Sequence, residues 1–230
     1  MARSFRKINV YLEVGQKRTF AGALDWPGWC RSGRGKASAL QALFEYAPRY
    51  ASILHAAQLD FHAPDDVSAF VVAERLKGDA TTDFGAPAIA PSQDARRVNQ
   101  NDLHHFETLL RMYWQTLDAV VERARGKTLK KGPRGGGRKL EAMLQHLLGS
   151  DAGYLNQVGW KFRQDGAGSP DQQLEQTRHA IISALRASAF GEIAPKGPRG
   201  GIRWTARYFV RRIAWHTLDH AWEIEDRISK

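Results

Sequence analysis

The chain has 230 residues, 43% of them hydrophobic and 25% charged, with a formal net charge of +10. That length and composition suit one or two folded domains with a sizeable core. No apolar run approaches the roughly 20 residues that cross a bilayer, the basic start MARSFRKINVYLEVGQ lacks a signal-peptide core, and the single cysteine, Cys30, excludes an internal disulfide. These features set the expectation of a cytoplasmic protein with no membrane partner.

In chain order, residues 6–14 and 18–24 alternate in polarity and carry Val, Ile, Tyr and Phe. They predict two strands joined by a turn at Gly15-Gln16-Lys17. Asp25-Trp26-Pro27-Gly28 reads as a second turn, followed by a basic loop from Arg31 to Lys36. From Lys36 to about Leu59 the apolar residues recur at helical spacing, with Pro48 placed to bend or break the helix. Residues 68–76 predict a further strand or strand pair, closing a small α+β domain near residue 85. The stretch FGAPAIAPSQDARRVNQ has the Pro, Ala and Ser content of a linker. Asn101 or Asp102 is placed to cap the next helix. Four helices then follow, at about 102–125, 138–160, 170–189 and 203–228, which predicts a four-helix bundle.

The positive charge is clumped. Eight basic and no acidic residues lie from Arg123 to Lys139, and six basic and none acidic from Lys196 to Arg212. Within these blocks Lys131-Gly132-Pro133-Arg134-Gly135-Gly136-Gly137-Arg138 recurs as Lys196-Gly197-Pro198-Arg199-Gly200-Gly201-Ile202-Arg203. Gly and Pro suit a helix-entry turn. Arginines beside helix N-termini also favour anions. If the second and fourth helices run parallel, Arg134, Arg138, Arg199 and Arg203 ring one mouth of the bundle and bind the anionic end of a substrate.

Histidines carry the chemistry. His216 and His220 lie one helical turn apart, on a face with Phe209, Ile213, Thr217 and Ile224. Two imidazoles on a core face are costly unless something satisfies them, and a shared metal ion does so. His146, at the edge of the apolar face Leu140, Met143, Leu144, Leu147 and Leu155, supplies a third ligand. Three neutral imidazoles leave an ion with open positions. Asp151 and Asp219 are candidates to orient the imidazoles from behind. His55, His62, His104, His105 and His179 lack such partners and are expected at the surface.

A bundle with one histidine in HLLGSDAGYL and a terminal HTLDH pair resembles the DinB-like (YfiT-like) superfamily over about residues 100–230. The resemblance implies zinc, nickel or a similar divalent ion on His146, His216 and His220. It also implies a metal-dependent enzyme, either a transferase using a low-molecular-weight thiol or a hydrolase; the basic repeats add the expectation of a small anionic substrate. Family members are often dimers, so a homodimer is expected. The stretch VYLEVGQKRTFAGALDWPGWCRSGRGKASALQAL is similar to HicB-type antitoxin domains, its DWPGW-C segment matching their Asp-Leu-Pro-Gly-Cys turn. The expected organisation is therefore α+β: a HicB-like domain over 1–85, a linker over 86–100, and an up-down four-helix bundle of the DinB-like type over 101–230. An alternative reading makes the protein a nucleic-acid- or protein-binding module with a structural metal. There the basic blocks, Trp204, Tyr208 and Trp215 form a stacking, phosphate-binding surface.

Overall fold

The computed structural model describes residues 7–132, 137–163 and 166–228. The chain divides into two compact units, Met1–Ala95 and Arg96–Lys230.

The first unit is built on a four-stranded sheet of order β3-β2-β1-β4. Strands β1 (Ile8–Val14) and β2 (Thr19–Ala23) form the expected hairpin, with Val14 opposite Thr19. The turn between them is held from outside: the Asp83 carboxylate accepts the backbone N–H groups of Gln16, Lys17 and Arg18. Tyr11 lies opposite Gly22, where a Cβ would come within 2.4 Å of the tyrosine ring. Only glycine fits that pair. The loop expected after the DWPG turn is instead a third strand, β3 (Cys30–Gly33), antiparallel to β2. Its sequence, Cys-Arg-Ser-Gly, has neither alternation nor β-branched residues, so pairing with β2 makes the strand rather than intrinsic propensity.

Helices α1 (Lys36–Glu45) and α2 (Ala47–Ala56) follow, with Pro48 in the first turn of α2. Proline is tolerated there because that N–H lacks an intrahelical partner anyway. One strand, β4 (Phe70–Lys77), then pairs with β1 in parallel. The core is aromatic: fully buried Trp29 stacks on Tyr50 and meets Phe61 and Phe70 edge-on, and its indole N–H donates to the Leu43 carbonyl. Cys30 is buried and accepts a long hydrogen bond from the Tyr11 hydroxyl.

The expected linker belongs in part to this unit. Glu13, with no exposed surface, accepts hydrogen bonds from Thr82 Oγ1 and from the backbone N–H groups of Ala88 and Ile89. Thr82 lies in the short helix α3 (Ala80–Phe84). Glu74 accepts from Ser92 in the same way. Two strand carboxylates thus hold residues 82–92 to the sheet despite their linker-like composition.

The second unit holds α4 (Gln100–Ala124), α5 (Leu140–Val158), α6 (Pro170–Ala189) and α7 (Ala206–Arg227). The cap of α4 is Asn99, not Asn101 or Asp102; Asp102 makes the reciprocal bond of a capping box. Ser169 and Thr205 cap α6 and α7. Polar contacts fix the helix directions. Arg207 pairs with Asp102 and Arg123 with Glu225, so α4 and α7 run the same way. Arg186 pairs with Glu107 and Arg125 with Asp171, so α6 runs against α4. The Trp204 N–H donates to Gln157 at the end of α5, while Arg227 reaches Met143 near its start, so α5 runs against α7. The alternating up-down-up-down order is therefore corrected: α5 and α6 run in the same direction. The chain between Val158 and Pro170 joins opposite ends of the bundle. Eleven residues reach up to about 36 Å, enough to pass along a helix about 28 Å long.

Because Glu13 is buried and accepts three hydrogen bonds from one segment, Glu13→Ala should destabilise the protein by about 3 kcal/mol. Urea denaturation followed by circular dichroism measures it. An unchanged midpoint would show that residues 82–92 need no carboxylate to hold them.

Candidate metal centre

Helix α7 is buried along nearly its whole length. On one face it carries Arg212, His216, His220, Glu223 and Arg227, spaced so that they form a single stripe. His216 and His220 are 5% and 6% exposed. Half-buried His146 reaches them from α5.

The three imidazoles meet through equivalent atoms. His216 Nε2 lies 3.1 Å from His146 Nε2 and 3.2 Å from His220 Nε2. Each ring is close to perpendicular to the other two, at 81°, 85° and 75°. Two nitrogens bound to one ion at 2.0–2.1 Å would be about 2.9 Å apart at a right angle and about 3.4 Å apart in a tetrahedron. The observed separations fall between those values. His146, His216 and His220 are thus positioned to hold one metal ion.

Their electrostatics favour the neutral form that ligates. Burial lowers the pKa of His216 well below the usual histidine value, and the nearby charges of His220, His146, Arg212 and Arg138 push it the same way. Burial lowers His146 too, with His220 and Arg138 adding to it. The tautomer of His220 is set from behind: its Nδ1 lies 3.1 Å from Glu223 Oε2. This contact, more than any other, holds the Glu223 pKa below the ordinary carboxylate value. An ionised carboxylate accepts, so Nδ1 carries the proton and Nε2 presents its lone pair. Arg227 donates from Nη1 to Glu223 Oε1, from Nε to the Lys130 carbonyl and from Nη2 to the Arg138 carbonyl. His216 Nδ1 is buried and meets no hydrogen-bond partner.

The carboxylate behind the site is therefore Glu223, not Asp151 or Asp219. Its spacing of three from His220 was a usable signal, hidden among the charges that end α7. Asp151 is buried instead, with Oδ1 lacking a partner, and desolvation pushes its pKa up to about 7 against the opposing charge of Arg178.

Arg138, Arg199 and Arg203 do not ring one mouth of the bundle. The first repeat ends at Arg138, beside the C-terminal end of α7, where the Arg138 carbonyl meets Arg227. The second lies at the opposite end of α5, where Arg203 packs on Gly159 and donates to the Ala194 carbonyl. The physical reason is the antiparallel course of α5 and α7. Among the three described, Arg138 is the one whose charge acts on His146 and His216. Arg199 sits exposed in a tight turn closed by Gly197 and Gly201, and Arg134 lies outside the described residues. His55, His62, His104 and His179 are exposed and His105 half-buried, and none joins the cluster. Of the aromatics expected on a stacking surface, Tyr208 and Trp215 are buried and Trp204 is half-buried.

Comparison with known proteins gives no match: no family model, no curated protein and no solved structure matches this chain. No helix among the described residues is long and apolar enough to cross a membrane.

Two outcomes follow from these contacts. Glu223→Gln should weaken metal binding by roughly 10- to 100-fold, measured by competition with a chromophoric chelator; unchanged affinity would mean that the tautomer is fixed in some other way. Asp151 titrates in the opposite sense from a stabilising carboxylate. Its folded pKa lies above its unfolded one, so stability is greatest below the unfolded value near 4 and falls as pH rises to about 7. Asp151→Asn should flatten that slope and melt higher than the wild type at pH 8. Parallel pH courses for the two proteins would contradict this.

Proposed function

We propose that the second unit is a divalent-metal-dependent enzyme of the DinB-like type, with zinc or nickel on His146, His216 and His220. It acts as a thiol S-transferase or a hydrolase on a small anionic molecule. The observation that carries this reading is that His216 Nε2 lies 3.1 Å from His146 Nε2 and 3.2 Å from His220 Nε2, with one ligand atom of each residue within 4.8 Å of the others. Bound there, the ion supplies Lewis acidity and lowers the pKa of a coordinated water or thiol.

The chain's own residues do the rest. Burial keeps His216 and His146 neutral. Glu223 holds the His220 ring in the ligating tautomer, and Arg227 holds Glu223. A structural metal site is normally closed by four protein ligands, whereas a catalytic one keeps a position open. Here three residues form the group, among the described residues, and His146 is half-exposed. That favours catalysis over a purely structural ion. Arg138 adds positive charge beside the histidines, which suits an anionic substrate. The likeness of residues 6–85 to HicB-type domains supports a partner-binding role for the first unit.

Purified protein should contain about one divalent transition ion per chain. His216→Ala should lose most of it, while His179→Ala, altering an exposed histidine outside the cluster, should keep it. Elemental analysis decides the matter. Full metal content in His216→Ala removes the assignment.

A further inference from the structure

One turn before His216, Arg212 is 8% exposed, and its Nε and Nη1 meet no hydrogen-bond partner. The guanidinium lies over two rings, 5.2 Å from the centre of Tyr154 and 5.0 Å from that of Trp215. A buried cation with unmatched N–H groups is costly, and among the described residues no carboxylate pairs with it. Its one hydrogen bond runs from Nη2 to the Tyr154 hydroxyl, at 3.0 Å.

That bond determines what Tyr154 can do. A phenol that accepts from a guanidinium still has its own proton to give. Among the described residues, no acceptor takes it. Tyr154 is half-buried, and its ring stands 5.8 Å from the His216 ring, edge to face. The hydroxyl is therefore polarised from behind by a buried positive charge, beside the proposed centre. The α5 surface next to it is open. Gly149 and Gly153 follow His146 at helical spacing, and a Cβ on either would meet nothing within 4 Å. Half-buried Trp204, 5.3 Å from Tyr154, offers an apolar wall.

We propose that Tyr154 and Arg212 form the anion-receiving subsite of the metal centre, taking the carboxylate of a small organic acid with a flat apolar body. The proposal rests on the metal-dependent reading above and names its substrate class. Tyr154 donates its proton to the carboxylate in a hydrogen bond. Arg212 is a positioning residue: it fixes the hydroxyl so that its proton points outward, and it supplies the charge that an anion offsets. This assignment replaces the four-arginine ring with one buried arginine acting through a tyrosine.

The test uses the full chain loaded with cobalt(II), whose visible spectrum reports on the ligands of the ion, and titrates it with benzoate. Benzyl alcohol serves as the uncharged control. Calorimetry gives the affinity. Wild-type protein should bind benzoate with a change in the cobalt bands and should not bind benzyl alcohol. Tyr154→Phe, which keeps the ring, should bind benzoate about tenfold more weakly with the same cobalt content. Arg212→Gln should lose binding to a similar degree, and Arg212→Lys, which restores the charge, should recover part of it. A purely structural role for Arg212 predicts no such recovery. The proposal is overturned if Tyr154→Phe binds benzoate as the wild type does, if benzyl alcohol binds equally well, or if cobalt is taken up normally and benzoate is ignored. Failure to take up cobalt at all overturns the metal reading, and this proposal with it, and so is distinct from the other outcomes.

Discussion

Burying charged and polar side chains along α7 costs free energy unless each finds a partner, and the second unit is organised around that requirement. Arg227 meets it fully. It ties Glu223, the carbonyls of Lys130 and Arg138, and the sulfur of Met143 to the end of α7. One side chain thus anchors both ends of the connection from α4 to α5 and orients the carboxylate behind His220. The requirement goes unmet about three and four turns earlier, at His216 Nδ1 and at Arg212 Nε and Nη1. Folded proteins rarely leave such groups unmatched, and the exceptions gather where binding or chemistry happens.

Much of this was legible in the sequence because it depends on local spacing. The pair at His216 and His220 follows from one helical turn, and His146 from its place at the edge of an apolar face. The hairpin of β1 and β2, the break at Pro48 and the four long helices likewise follow from periodicity and from the backbone chemistry of Gly and Pro. What the sequence concealed was set by tertiary pairing. Strand β3 has no strand-like composition and exists because β2 offers it hydrogen bonds. Residues 86–100 look like a linker, but the carboxylates of Glu13 and Glu74 hold part of that stretch to the sheet. The directions of α5 and α6 depend on whether eleven residues turn back or cross over, and length alone permits both. That single ambiguity moved the two basic repeats to opposite ends of α5.

The repeats themselves show how one sequence serves different surroundings. The second copy folds into a tight turn, with Gly200 in the left-handed region and Lys196 bridged to Ile202. The first copy ends where a Cβ on Gly137 would come within 2.4 Å of the Arg227 guanidinium. Gly200 is needed for its backbone angle alone, Gly137 both for its angle and for the room it leaves the Arg227 side chain.

His146 and His216 are seventy residues apart in the chain. His216 and His220 are brought together by helix formation alone, whereas His146 joins them only when α5 has docked on α7. An ion shared by all three would therefore close a seventy-residue loop, as a disulfide does. It would bind the assembled bundle in preference to the unfolded chain, and so add its binding free energy to folding. A centre built across two antiparallel helices is in this sense also a fastener, one that a chelator could open without breaking a covalent bond.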